Sequence, residues 1–191
     1  MKIKTLRDLW IDELKDLYDA EHQILKALPT MAKAASNDAL RRAFEEHLEQ
    51  SKGHVERLDQ VFELIDQTPR GKKCKGLEGI IAEGKTTMEE ALPESLGDVA
   101  LIAAAQRVEH YEIAAYGTVR AFAEVLGETD AAELLNLTLD EEKATDETLS
   151  EIAEDVNPAA AEPELEPARS SSKNGNGNSK AKARANAGAR R

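Results

Sequence analysis

This sequence is poor in the materials from which several protein classes are built. It has one cysteine, Cys74, in 191 residues. No disulfide can close within the chain, so a small disulfide-stapled scaffold is excluded. Three phenylalanines, three tyrosines and one tryptophan supply little for a sandwich or barrel of short strands. The longest apolar run, Val99 to Ala105, is far shorter than the ~20 residues that span a bilayer. Residues 1–10 carry Lys2, Lys4, Arg7 and Asp8 with no apolar stretch, so no secretory signal is expected. These absences together point to a cytoplasmic protein without a membrane span.

What is abundant is helix-forming: Ala, Leu, Glu and Lys dominate, and these are the residues with the lowest helix cost. Acidic residues outnumber basic ones, 37 to 25, for a net charge of −12. The imbalance is local. Residues 1–156 hold 34 acidic and 18 basic residues, whereas seven basic residues and no acidic one follow Ala168. That last stretch is Ser, Asn, Gly, Ala and Lys without large apolar side chains, which cannot offset chain entropy. The expected organisation is a helical domain over 1–156 and a disordered, basic tail over 157–191. The tail reads first as a solvating appendage. Weak, salt-sensitive contact with nucleic acid is its functional reading, limited by the lack of interleaved aromatics.

Apolar spacing defines four long helices and one short one. Thr5 precedes a stripe at Leu6, Trp10, Leu14, Leu17, Ile24, Leu25 and Leu28, and Pro29 should kink or locally open this helix. After the cap formers Ser36, Asn37 and Asp38, a second stripe runs through Leu40, Phe44, Leu48, Val55, Leu58, Phe62 and Ile65. A short amphipathic piece covers about Cys74 to Ala91, and Pro93 and Gly97 break it. The third long helix runs from near Asp98 to Gly127, a C-cap candidate. The fourth starts after Thr129 or Asp130 and should end before Asn157 and Pro158. The predicted fold is all-α, a four-helix bundle with an extra short helix in the middle crossover.

The informative residues are carboxylates placed where a core should be. At 100° per residue, Glu21 lies in the centre of the first apolar stripe and Glu112 in that of the third long helix. Glu109 flanks Glu112 one turn earlier. Glu142 continues the line of Ala131, Leu135 and Leu149, with Asp146 at i+4. On the second helix His54 edges the Ser51, Val55, Leu58 face, and Gln50 and His47 share its side. Acidic residues are rarely buried without a partner, and an unpaired buried carboxylate costs several kcal/mol. All these positions fall near helix midpoints, hence in one layer of an antiparallel bundle. A pair of divalent ions is the simplest partner for Glu21, His54, Glu109, Glu112 and Glu142, with Asp146 and Gln50 as alternates. Taken singly, each is as readily an ordinary half-buried side chain. His47 and His110 read as structural or solvated, and Tyr18 and Tyr111 as packing residues.

A faint repeat, with a shift of 91 residues, sets Glu21 on Glu112, Ser51 on Glu142 and His54 on Thr145. Di-metal carboxylate bundles use Glu-x-x-His on two helices and one Glu from each of the others. Here the motif is split, with Ser51-x-x-His54 keeping the histidine and Glu142-x-x-Thr145 keeping the glutamate.

The segments LIAAAQRVEHYEIAAYGT and LDEEKATDETL, with DLYDAEHQILKALP and HLEQSKGHVERLDQVFE, resemble the YciE/YciF-type stress proteins of the ferritin-like superfamily over residues 3–156. The resemblance implies a ferritin-like, rubrerythrin-like bundle, often a homodimer, with a dinuclear Fe or Mn site. By position, it sets Glu21, Glu109, Glu112 and Glu142 on acidic ligand positions and His54 on the histidine of the second-helix motif. Ser51 and Thr145 depart from the full set. The expected function is that of a di-metal stress protein acting on peroxide or dioxygen, with Glu112 or Glu142 as the bridge. The competing reading is a non-enzymatic bundle that acts by self-association or partner binding. Iron storage in a cage has little support, because nothing specifies a closed shell.

Overall fold

The computed structural model describes residues 3–90 and 92–165. Five helices follow one another: α1 (Leu6–Ala34), α2 (Asp38–Leu64), α3 (Lys75–Glu89), α4 (Glu94–Leu126) and α5 (Thr129–Leu165). No strand occurs among the described residues. Three of the boundaries have a clear local cause. Thr5 and Asp8 form a capping box at the start of α1, each side chain bonding the other's backbone, which satisfies donors that a helix start leaves free. Asn37 caps α2 by accepting from the N–H groups of Ala39 and Leu40. Gly127 ends α4 at φ 76°, a left-handed conformation that disfavours a Cβ.

Helices α1 and α2 pack together, α2 against α5, α5 against α4, and α4 back against α1. This closes a four-membered ring. The α1–α2 and α4–α5 turns are short, whereas the link from α2 to α4 crosses the ring's diagonal and carries α3. The result is the ferritin-like bundle with a short helix in its crossover. Pinning the crossover falls to α1. Asp19 accepts from the Cys74 N–H at 2.8 Å, Gln23 donates to the Cys74 carbonyl at 3.0 Å, and the Lys72 N–H reaches the Lys15 carbonyl at 2.9 Å. Helix α3 then lies on α4 and α1. Trp10, Leu14, Leu17, Leu40, Leu58, Phe62, Leu135 and Leu149 are all buried, each contributing about 1.5–3 kcal/mol for its aliphatic or aromatic surface.

Helix α1 runs through Pro29 to Ala34, and one sequence expectation changes. Helix α5 does not stop before Asn157 and Pro158 but continues to Leu165, with Val156 and Ala160 buried. That burial holds the helix past a residue that removes one internal hydrogen bond. The expected tail therefore loses residues 157–165 to the helix, and its remainder, 166–191, lies outside the described residues.

The α1–α2 corner hangs on one carboxylate. Asp98, buried near the start of α4, accepts from the Ser36 N–H at 2.8 Å and the Asn37 N–H at 2.9 Å. Asp98→Ala leaves both donors without an acceptor and should cost about 2–4 kcal/mol, a fall in melting temperature of roughly 5–10 °C. Asp98→Asn keeps one accepting oxygen and should lose about half as much. Thermal melts of the two variants that overlay the parent would refute this role.

Candidate metal centre

The inner faces of the four long helices converge on a polar layer. Glu21 comes from α1, His47 and His54 from α2, Glu109 and Glu112 from α4, and Glu142 from α5. All six are buried, with at most 2% of any of them exposed. Helical periodicity selects them. His47 and His54 are separated by seven residues, two turns apart on one face, and Glu109 and Glu112 by three.

Two overlapping donor groups result. Atoms of His47, Glu109, Glu112 and Glu142 lie within 4.8 Å of one another, and so do atoms of Glu21, His54 and Glu142. Glu142 belongs to both. His54 Nδ1 faces Glu142 at 3.0 Å and Glu21 at 3.3 Å, while His47 Nε2 faces Glu109 at 3.5 Å and Glu142 at 3.8 Å.

The outer nitrogen of each ring is held separately. His54 Nε2 donates to Glu141 at 2.9 Å, and Arg57 holds that carboxylate through both of its oxygens at 2.7 Å. Thr145 donates to the Glu141 carbonyl, so its oxygen accepts from His47 Nδ1 at 3.3 Å. Gln50 sits 3.4 Å from the same nitrogen. Both imidazoles are thus fixed with a lone pair turned inward, the arrangement that orients a metal-bound histidine.

Twelve buried side-chain polar atoms lack a hydrogen-bond partner among the described residues, and eight of them are in this cluster. They are the inward nitrogens of both histidines, both oxygens of Glu112 and Glu142, and one oxygen each of Glu21 and Glu109. Orphaned buried polar atoms are rare and costly. Such a concentration of oxygens and imidazoles fits divalent cations: four carboxylates and two neutral imidazoles balance two such ions in charge.

Without a cation the cluster must hold protons. Burial, then the charges of Glu142, Glu21 and Glu109, push Glu112 well above the usual carboxylate range. Burial and Glu142 do the same to Glu109. His54 is pulled down by burial, but the adjacent carboxylates of Glu142 and Glu21 outweigh this and carry it up to about 10. Glu142 is held low because those histidine interactions overcome its own burial. Tyr116, which donates to Glu21, is pushed far up by burial and the Glu21 charge.

The site brings together Glu21, His54, Glu109, Glu112 and Glu142 as the sequence placed them. It leaves out two alternates. Asp146 is partly exposed and bonded to Gln106, and Gln50 is exposed and reaches only the outer side of His47 and Thr145. It also adds His47, which the sequence left as structural or solvated. The available signal was its seven-residue spacing from His54. The deciding fact is the small Thr145, whose position the repeat would have given a histidine, and against which His47 now packs. Ser51, in the glutamate position of the motif, instead donates to the His47 carbonyl at 2.9 Å. His110 is exposed and faces Asp146 at 3.4 Å.

These protons link stability to pH. The contribution of His54 in the metal-free chain is complete below its unfolded value of 6.5 and is lost as pH rises through about 10. Glu109 and Glu112, also raised, make the fold weaker as pH climbs above the ordinary 4.5. Glu141 and Glu142 are lowered, so their contribution is lost only as pH falls below that value. The chelated protein should therefore melt at steadily lower temperature from about pH 6 to about pH 9. A divalent ion held by these groups would displace the same protons, so any stabilisation by metal should grow over that range. A pH-independent melting temperature in the chelated protein contradicts this arrangement.

Comparison with known proteins agrees with the fold. The family described as a domain of unknown function, DUF892, matches residues 5–162. Protein YciF of Escherichia coli (strain K12) is 47% identical over 154 residues, covering 80% of this chain and 93% of its own. The crystal structure of that E. coli stress protein superposes with a TM-score of 0.79 at 46% identity, over 82% of this chain and 99% of the other. YcfI of Rhodopseudomonas palustris superposes with a TM-score of 0.77 at 44% identity, over 78% of this chain and 95% of the other. By match length and identity alike, the chain belongs to the YciF-type stress proteins, the DUF892 family.

Proposed function

We propose that this chain is a di-metal stress protein of the carboxylate-bridged kind, holding two Fe or Mn ions and acting on peroxide or dioxygen. The observation that carries the reading is the set of eight orphaned inward atoms together with two imidazoles whose outer nitrogens are already committed. An oxygen-rich donor set with two histidines suits Fe or Mn better than zinc, which favours more His or Cys. When bound, such a pair supplies electron exchange with peroxide or dioxygen.

The residues divide the work. Glu142 belongs to both donor groups and is the bridging candidate, with Glu112 beside it and both its oxygens free. Glu21 with His54, and Glu109 with His47, are terminal. Tyr116 fixes one Glu21 oxygen by donating to it and leaves the other free. Arg57 and Glu141 set the orientation of His54. The buried Leu17, Ile24, Leu58 and Leu139 keep bulk water from the layer.

A second reading is self-association without catalysis, as a homodimer. It is favoured by exposed Leu64 and Leu137, which line one open groove between α2, α4 and α5. Sedimentation of the parent and a Leu64→Glu, Leu137→Glu double variant separates the two readings when combined with metal analysis.

Protein purified without chelator should contain close to two ions per chain, and a metal excess should raise its melting temperature by roughly 5–10 °C. Glu112→Gln should lower the metal content and shrink that rise. The metal-free variant should be no less stable than the metal-free parent, because burial and the neighbouring carboxylates disfavour the Glu112 anion and Gln matches the neutral shape. Metal binding by Glu112→Gln equal to the parent's would sink the shared-site reading. Glu141→Gln removes the charge behind His54 without touching the inner layer. It should cost about 10–100-fold in metal affinity or in peroxide or dioxygen consumption, and an unchanged affinity and rate would remove Glu141 from the site.

A further inference from the structure

A cavity of about 420 Å³ lies beneath α3, between α1 and α4, in the range of sites for small organic molecules. Small residues create it. Helix α3 meets α4 at Gly84, where an added Cβ would stand 3.3 Å from that of Ala104. Ala27, Ala104 and Ala105 leave the adjoining space unfilled. Its body is apolar, formed by Ile24, Met31, Ile81, Met88, Leu101 and Val108.

The two ends differ. The inner wall includes His47 and Glu109, each only 2% exposed, with His47 Nε2 and Glu109 Oε2 among the orphaned atoms. The outer rim carries Lys26 and Lys85, both exposed, and no acidic lining residue. Lys85 is only loosely paired, 3.7 Å from Glu89. In a chain with 37 acidic and 25 basic residues, a rim lined by two cations, with Glu89 only at the outer side of Lys85, is a local reversal of sign. Neither Glu21 nor His54 lines the cavity.

We propose that this cavity binds an amphiphile with a hydrocarbon body and an anionic head, the head between Lys26 and Lys85 and the tail running toward His47 and Glu109. Burial of each methylene supplies the affinity, and the lysines select the sign of the head. The pocket exists without metal. Only its meaning, an organic substrate or effector delivered to the His47–Glu109 side of the donor layer, rests on the di-metal reading.

Decanoate is a suitable probe. Titration calorimetry of the full, chelator-treated chain below the micellar concentration should show saturable binding of a single decanoate. Decyltrimethylammonium should bind about tenfold more weakly, and Lys26→Gln with Lys85→Gln should abolish that preference. Ala27→Leu and Val108→Phe fill the cavity from different helices. Each should weaken decanoate by about tenfold or more while metal uptake stays at the parental level. If one filler fails to fold, the other decides. No saturable binding, equal affinity for the cationic amphiphile, or parental affinity in a folded filler overturns the proposal. Because the titration uses metal-free protein, decanoate binding without metal uptake in a separate assay rejects the di-metal reading and leaves the pocket standing. Metal uptake without decanoate binding does the reverse.

Discussion

The confinement of four carboxylates to the dry centre of the bundle governs the rest of this structure. A domain of this size is stable by only about 5–15 kcal/mol, and each uncompensated buried charge costs several. Glu21, Glu109, Glu112 and Glu142 therefore cannot all be bare anions. Protons on Glu109, Glu112 and His54 relieve the metal-free chain, and divalent cations held there would relieve it more completely because they would also satisfy the orphaned lone pairs. Either solution binds the helices to one register. A shift of a single residue turns a glutamate by 100° out of the layer.

Stability consequently has to come from outside that layer. The apolar stripes continue on both sides of it, with Trp10, Leu14 and Phe62 among the buried residues of α1 and α2, and Leu135 and Leu149 flanking Glu142 on α5. The ends are secured by capping: Thr5 with Asp8, Asn37 with Asp98, and Gly127. Rigid ends and a polar middle divide fold from chemistry, and the crossover's bonds to Asp19 and Gln23 hold α3 in place over the layer's edge.

Much of this was legible in the sequence because helical periodicity makes a misplaced charge conspicuous. Glu21, Glu112 and Glu142 break apolar stripes, and no partner on their own helix excuses them. Periodicity could not rank His47, because a histidine serves a surface, a core or a cluster equally well. Its role depends on Thr145, 98 residues away, whose short side chain leaves the imidazole room. Glu141 was illegible for a similar reason. It looks like any acidic residue on an outward flank, and only the Arg57 fork and the His54 contact make it part of the site. The end of α5 was misjudged because Asn157 and Pro158 are strong local stop signals, which the burial of Val156 and Ala160 overrides.

Placing both histidines on α2 has a geometric consequence. Bundles with one Glu-x-x-His on each of two helices present two near-equivalent positions. Here α2 contributes two imidazoles and no carboxylate, α4 contributes two carboxylates and no imidazole, and α1 and α5 give one carboxylate each. The two donor groups cannot be equivalent. The Glu21–His54 group is closed in, with Tyr116 over one oxygen of Glu21 and Glu141 behind the ring. The His47–Glu109 group borders the cavity under α3, and its histidine is held from outside only by the weaker contacts of Thr145 and Gln50. Reach and compliance therefore coincide on one side of the layer. With Thr145 on α5 and both imidazoles on α2, the layer has one enclosed half and one half that borders a neighbouring space.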